Sequence, residues 1–239
     1  MPRDVVVILG GPDASESLAA RVVLLNYRAL PARTPEAVLE IDRRSPSPVR
    51  CVVLAEGHGL RDPGNDLPLL SRKLSADWVE FVMACDLPLE PEVDALRRAG
   101  VRYALWRPHT HEELRFVINL AHYNDIGKPR SSSRVPTNVV ATVVSKTGEK
   151  SAILYNLSLH GAYLITPRPT LRGGTVELRA GLPGGDAVVN AEVVWNNVPG
   201  NLRKANAPIG MGVRFIDMDA AVYDALRRYM KERAAAFTL

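Results

Sequence analysis

The chain of 239 residues is long enough for two domains of ordinary size, each with its own hydrophobic core. Hydrophobic residues make up 46% of it and charged residues 23%, as in ordinary globular proteins, and no apolar run approaches the ~20 residues that cross a membrane. The net charge of +4 is unevenly divided. Residues 1–128 carry 16 Lys and Arg against 18 Asp and Glu, whereas residues 129–239 carry 14 against 8. The second half is therefore basic and is expected to attract an anionic partner.

The cysteines and the first residues indicate where the protein works. Cys51 and Cys85 each lie in an apolar run typical of a buried strand. They are predicted to be buried free thiols, which favours a reducing cytoplasm over a disulfide or a metal site. The apolar run at residues 5–9 is short and lacks a small-residue cleavage pattern, so it predicts a first strand and not a signal peptide.

Residues 1–123 alternate short apolar runs with amphipathic stretches, which is typical of a parallel sheet flanked by helices. Thr110 and Glu113 form a predicted capping box that opens the last helix. The second strand has no clear run of its own, and the stretch between the third and fourth strands predicts only a loop and a short helix. The predicted strands otherwise cover residues 5–9, 52–54, 79–84 and 101–106, and the other helices cover residues 13–26, a stretch beginning at 34–35, and 91–99.

Residues 124–135 are rich in Asp, Gly, Lys, Pro, Ser and Arg, which predicts a linker between a first domain of residues 1–123 and a second of 136–239. Six short strands joined by Gly-rich turns then predict an antiparallel barrel or sandwich. A closing helix over residues 219–236 places Val222, Leu226 and Tyr229 on one face. The predicted strands cover residues 138–144, 151–157, 162–166, 175–179, 187–195 and 211–216.

Two polar clusters flank the first strand-like run of the second half. Arg130 and Arg134 lie four apart in a Ser-rich segment, and their planar guanidinium groups suit phosphates and the O6/N7 edge of guanine. Asn156, Ser158 and Gly161 follow at the end of an apolar run. They offer an amide, a hydroxyl and a close approach to the backbone.

These clusters resemble the RxxxR and (D/N)xSxxG motifs of the PilZ domain, a family of bacterial cyclic di-GMP receptors. The resemblance spans residues 128–239 and includes the G-x-G-x-x-F sequence at 210–215. After the predicted α/β domain it implies a six-stranded PilZ β-barrel with a C-terminal helix, and cyclic di-GMP as ligand, without a cofactor. It also implies that Arg130 and Arg134 hold guanine edges and phosphates. Asn156 would bond the base, Ser158 would add a hydroxyl, and Gly161 would give clearance.

The order of elements in the first half resembles a response-regulator receiver domain. A receiver places acidic residues after its first and third strands, where they hold magnesium and take the phosphoryl group. Here those places read Leu9-Gly10 and Ala55-Glu56, and Arg107 replaces the lysine that precedes the last helix. Without converging carboxylates nothing holds the cation that neutralises a phosphoryl group. The resemblance therefore implies a receiver-like (pseudo-receiver) domain that takes no phosphate.

The sequence supports the hypothesis of a non-catalytic cyclic di-GMP-binding effector. It would signal the concentration of the second messenger to an unidentified protein partner through the receiver-like domain. The process would be motility, polarity or exopolysaccharide control. Two alternatives stand beside it. One is an interaction scaffold of PilZ type that has lost its ligand, and the other is a regulator switched by phosphorylation.

Other classes of function lack support in the sequence. No helix-turn-helix or basic stripe with interleaved aromatic residues indicates a nucleic-acid partner. None of the five histidines pairs with carboxylates or cysteines at metal-ligand spacing, and no activated nucleophile is apparent, so neither a metal site nor catalysis is expected.

Overall fold

The computed structural model describes residues 3–86, 90–123, 133–183, 185–202 and 206–239. The chain divides into two compact units, one of residues 1–125 together with 236–239, and one of residues 126–235. Most of the predicted linker, including Arg130, lies outside the described residues. No helix in the described ranges is both long and apolar enough to cross a membrane.

The first unit contains a five-stranded parallel sheet of order β2-β1-β3-β4-β5, which confirms the predicted α/β class. β1, β3 and β4 are buried along their whole length, as expected for continuous apolar runs covered on both faces. The strands are β1 (Val5–Leu9), β2 (Arg28–Ala32), β3 (Cys51–Ala55), β4 (Glu80–Cys85) and β5 (Tyr103–Trp106). The helices are α1 (Pro12–Val23), α2 (Pro35–Arg44), α3 (Pro63–Lys73), α4 (Glu90–Arg98) and α5 (His111–His122).

Local signals in this unit behave as the sequence predicts. The Thr110 hydroxyl accepts a hydrogen bond from the Glu113 N–H at 3.1 Å, and the Glu113 carboxylate accepts one from the Thr110 N–H at 2.8 Å. The capping box is therefore confirmed. Cys51 and Cys85 are buried free thiols, and burial raises their pKa values to about 12 and about 11.

Residues 236–239, here called the returning segment, belong to the first unit and extend its sheet beyond β5. The Ala104 N–H donates to the Phe237 carbonyl at 3.0 Å, and the Leu239 N–H donates to the Arg102 carbonyl at 3.2 Å. Thr238 pairs antiparallel with Tyr103. The Phe237 side chain is buried, and Leu239 packs against the core of the unit. The sequence patterns give no sign of this pairing.

The second unit is a closed six-stranded antiparallel barrel followed by α6 (Ala220–Ala235), and both are confirmed predictions. The barrel closes because β9 pairs with β6 on one side and with β10 on the other. Leu226, Tyr229 and Met230 of α6 join the barrel core. The strands are β6 (Val135–Ser145), β7 (Gly148–Ser158), β8 (Gly161–Ile165), β9 (Thr175–Leu182), β10 (Gly185–Asn197) and β11 (Gly210–Asp217).

Candidate functional site

Asn156 and Ser158, two of the residues singled out in the sequence, project from the outer face of β7. Leu154 and Leu157 of the same strand both belong to the barrel core. Strict alternation would put only one of them inside, but the register shifts between Leu154 and Asn156. A bulge of this kind adds one residue and redirects the side chains that follow. It therefore turns Asn156 and Ser158 outwards.

Arg134 brings the two sequence clusters into contact. It lies immediately before β6, where Pro136 pairs in register with Asn156 of β7. The Arg134 Nη1 donates to Asn156 Oδ1 at 3.1 Å, and the Asn156 side chain is nearly fully buried. Two residues 22 positions apart in the sequence thus meet on one outer face of the barrel. Arg130, the other predicted arginine, is outside the described residues.

Ser158 and Gly161 have structural roles at the turn between β7 and β8. The Ser158 hydroxyl donates to the Gly161 carbonyl at 2.9 Å, and the two residues pair in register. A β-carbon on Gly161 would overlap the carbonyl oxygen of Val213 on β11. The glycine therefore permits a close approach between β8 and β11. The predicted contacts of both residues with a ligand stay predictions.

An aromatic pair lies in the same row of residues as Asn156, and no motif in the sequence marks it as part of the site. Register pairs run from Asn156 on β7 to Tyr163 on β8, then to Gly212 on β11 and Trp195 on β10. The Tyr163 and Trp195 rings stack with centroids 4.8 Å apart and planes at 24°. A β-carbon on Gly212 would overlap the Trp195 indole, so this glycine makes room for the stack. Tyr163 is buried, so the partly exposed Trp195 is the ring of this pair that suits contact with a planar base.

The next row on this face carries a second guanidinium. Ser158 pairs with Gly161, Gly161 with Arg214, and Arg214 with Glu192. The Arg214 Nη2 lies 2.5 Å from Glu192 Oε2, so its charge is already balanced by a carboxylate.

The carboxyl ends of the strands in the first unit are the place where a receiver would hold magnesium and take a phosphoryl group. Arg107, after β5, donates from Nη2 to Glu56 at 2.5 Å and from Nε to Asp86 at 3.0 Å. Glu56 is therefore an exposed loop residue that pairs with an arginine. Nowhere among the described residues do three or more His, Cys, Asp or Glu side chains form a group that could hold a metal ion.

A family model described as the PilZ domain matches residues 128–232. This part of the chain is a PilZ domain. Its match includes Arg134, Asn156 and Trp195, so the whole row on the outer face of the barrel belongs to the PilZ domain.

Several solved structures are similar to the PilZ domain at low identity. The Bacillus subtilis inhibitor of motility MotI/DgrA is 18% identical, with a TM-score of 0.38 over 45% of this chain and 52% of that chain. The PilZ domain of YcgR from Escherichia coli, solved with c-di-GMP, is 19% identical, with a TM-score of 0.36 over 45% and 93%. The PilZ domain of CeSA from a cellulose-synthesizing bacterium is 15% identical, with a TM-score of 0.32 over 42% and 97%. The chain spans about half the length of MotI/DgrA, and no curated protein matches it.

Proposed function

We propose that the PilZ domain of this chain binds cyclic di-GMP and that the protein is a non-catalytic receptor for this second messenger. The proposal is supported by the family match over residues 128–232 and by one contact in particular, the hydrogen bond from Arg134 to Asn156. That contact unites the arginine motif with the Asn-x-Ser-x-x-Gly motif. The ligand is expected to bind where they meet.

The chemistry of Arg134 and Asn156 suits a guanine nucleotide. A guanidinium has five N–H donors in one plane, and the hydrogen bond to Asn156 uses Nη1. The guanidinium plane matches the O6/N7 edge of guanine or two oxygens of a phosphate. The hydrogen bond to Asn156 restricts the arginine before the ligand arrives, which lowers the entropic cost of binding.

Trp195 is expected to give the base an apolar surface, whereas the buried Tyr163 supports it from below. Trp195 is half-buried and stacked on Tyr163, whose hydroxyl donates to the Pro208 carbonyl at 2.6 Å. Both rings are therefore fixed before a ligand binds. Stacking on an aromatic ring contributes about 1–3 kcal/mol per base in single-stranded nucleic-acid complexes, and a contribution of that order is expected here.

After cyclic di-GMP binds, the signal is proposed to pass to a protein partner that docks on the first unit. Among the described residues that follow β3 and β4, the carboxylates Glu56 and Asp86 are both engaged by Arg107. A role in docking fits this arrangement better than a role in phosphoryl transfer. Motility, polarity or exopolysaccharide control is the proposed setting.

Calorimetric titration of the full chain with cyclic di-GMP tests the proposal. Arg134→Ala is expected to weaken binding about tenfold or more, because a charge-assisted or bidentate arginine contact contributes roughly 1–3 kcal/mol. Arg130→Ala is expected to have a similar effect. Arg179→Ala is the matched control, since Arg179 is an exposed arginine on β9 that pairs with Glu149 and Glu177. The control is expected to bind like the wild type.

Two results would overturn the proposal. One is a wild-type chain that does not bind cyclic di-GMP, which would favour an interaction scaffold without a ligand. The other is an Arg130 and Arg134 double variant that binds as tightly as the wild type. Cyclic di-AMP serves as the ligand control, because adenine lacks the O6 acceptor and presents an N–H donor there instead. Equal affinity for both dinucleotides would refute recognition of the guanine edge.

A further inference from the structure

A cavity of about 650 Å³ opens at the carboxyl ends of the strands in the first unit. Its lining includes Gly11 after β1, Glu56 after β3, Ala84 in β4 and Arg107 after β5. In a sheet of order β2-β1-β3-β4-β5, the chain leaves β1 and β3 towards opposite sides. Open α/β sheets bind ligands in the crevice at this switch point. The volume falls in the range of small-molecule sites, roughly 300–1,000 Å³.

One of the two arginines in the lining is already paired. Arg107 lies against Glu56 and Asp86, and the hydrogen bond with Glu56 raises the pKa of Arg107 above its usual value. These two carboxylates balance its charge. Arg107 therefore stabilises the wall of the cavity and leaves little charge for a ligand.

Arg21 of α1 is the other arginine, and in the described part of the chain no carboxylate pairs with it. Its Nη1 lies 3.0 Å from His109 Nε2, and its Nη2 donates to the His109 carbonyl at 3.2 Å. A guanidinium keeps its protons, so Nη1 donates and Nε2 accepts. His109 is then the neutral tautomer with its proton on Nδ1, and burial and then the charge of Arg21 lower its pKa.

This arrangement leaves a partly buried positive charge that borders an open cavity. Burial lowers the pKa of Arg21, as expected for a cation that has lost water without gaining an anionic partner. An anion placed beside it would recover that desolvation cost. The carboxylates in the lining are Glu56, which is paired with Arg107, and the exposed Asp13.

The remainder of the lining is small or apolar. Leu18, Ala55 and Ala84 form an apolar wall, and beside it the Gly11 N–H donates to the Glu56 carbonyl at 2.8 Å, so the ends of β1 and β3 are held close together. Gly57 has a φ of +70°, a conformation in which a side chain would be strained, and a β-carbon there would lie only 3.2 Å from the Gly11 nitrogen. The cavity thus combines a cationic end with a surface that suits a ring.

We propose that this cavity binds a small phosphorylated molecule of about nucleotide size. Arg21 binds its phosphate through parallel N–H groups, and the rest of the molecule packs against Leu18, Ala55 and Ala84. The site lies within the first unit and does not depend on cyclic di-GMP binding by the PilZ domain.

The test is calorimetric titration of the full chain with adenosine monophosphate, inorganic phosphate and citrate as probes. We expect adenosine monophosphate to bind in a 1:1 ratio, more tightly than inorganic phosphate, because it also covers the apolar wall. Citrate, an anion without a phosphate or a ring, is expected to bind at least tenfold more weakly. Arg21→Gln is expected to weaken nucleotide binding about tenfold or more, because it removes a charge-assisted contact.

Further variants distinguish binding in this cavity from binding elsewhere on the chain. Ser17→Trp places a bulky side chain at the exposed rim of the cavity and is expected to block the nucleotide while leaving Arg21 in place. Arg98→Gln, at an exposed arginine on α4, is the charge-matched control and is expected to bind like the wild type. Arg134→Ala tests whether the nucleotide occupies the PilZ domain instead. Thermal melts of each variant confirm that it is folded.

The outcomes are decisive in both directions. Loss of binding in the Arg21 and Ser17 variants, with binding retained in the Arg98 and Arg134 variants, supports the site. No binding of any phosphorylated probe at millimolar concentration overturns it. So does binding that survives Arg21→Gln, binding that is lost with Arg134→Ala, or citrate that binds as well as the nucleotide.

Discussion

Gly161 shows at the scale of one residue how the outer face of the barrel is assembled. Its backbone approaches the Val213 carbonyl so closely that no β-carbon fits between them. Gly212 makes the equivalent space for the Trp195 indole, which then reaches Tyr163. Because these two glycines have no β-carbon, the strand contact and the aromatic stack that border Asn156 can form.

Gly161→Ala is expected to lower the free energy of unfolding of the barrel by about 1–3 kcal/mol, because an added methyl group must displace the β11 backbone. Urea unfolding measures this change. Gly181→Ala is the matched control, since a β-carbon there meets only Asp186 Oδ1 at 3.6 Å. The control is expected to leave stability unchanged or to raise it by up to about 1 kcal/mol. Equal losses in both variants would contradict the packing role of Gly161.

The sequence identifies Asn156, Ser158 and Gly161 as a motif, but it does not show what each residue contacts. Ser158 and Gly161 bond to each other, whereas Asn156 binds Arg134. The sequence does not reveal the position of Trp195, because this residue follows a register shift in β10. A bulge reverses the inside-outside alternation, and nothing in a short apolar run reveals where it lies.

α5 illustrates what is predictable at the scale of an element. The Thr110 and Glu113 capping box, a local signal, marks the start of this helix in the sequence. β2 and α3 were less visible. β2 is an edge strand with a single hydrogen-bonded neighbour, so it tolerates Pro31 and needs no continuous apolar run. α3 contains an internal proline, Pro68, which disguises its helical pattern.

The end of α5 makes the stability of the first unit depend on pH. His122 is 5% exposed and lies between the rings of Tyr27 and Tyr123. Burial lowers its pKa below the usual 6.5, with a smaller opposing effect from Asp4. The unfolded chain therefore binds this proton more readily than the folded chain does. The stabilisation is complete above about pH 6.5 and is lost as the pH falls below it towards the folded-state pKa.

Urea unfolding at pH 7.5 and pH 5.5 tests this dependence. The wild type is expected to lose more stability between the two values than His122→Phe does, because the variant has no proton to gain at that position. The exposed His160 gives the control variant His160→Phe, which is expected to keep the wild-type dependence. An unchanged pH dependence in His122→Phe would show that other groups carry the effect.

At the scale of the whole molecule, the sequence predicts the division into two units but not the return of residues 236–239 to the first unit. The change from helical to strand periodicity and the basic second half both indicate two parts. The returning segment could not be predicted, because four residues carry no periodicity and their partner β5 is distant in the sequence. Its place in the sheet is decided by hydrogen bonds to Arg102 and Ala104 and by the burial of Phe237.

Deleting residues 236–239 is expected to destabilise the first unit by about 2 kcal/mol, the order of burying one large apolar side chain. Amide hydrogen exchange gives the sharpest measurement, because the Ala104 N–H loses its acceptor and is expected to exchange faster. Val213 in the barrel is expected to keep its exchange rate. Phe237→Ala is expected to reproduce most of the effect, whereas Thr238→Ala, at an exposed position, is expected to have little. Unchanged exchange at Ala104 after the deletion would exclude the pairing.

The returning segment also fixes an order of events during synthesis. β5 is made before the entire barrel, yet its outer edge pairs with residues that follow the barrel. Contacts so far apart in the sequence are the slowest to form, because a long loop must close before they yield any energy. On the ribosome, the backbone groups at the outer edge of β5 stay unpaired until the PilZ domain and residues 236–239 have been synthesised. Nascent chains of this protein are therefore expected to pass through a stage with an open strand edge, to which another strand can pair.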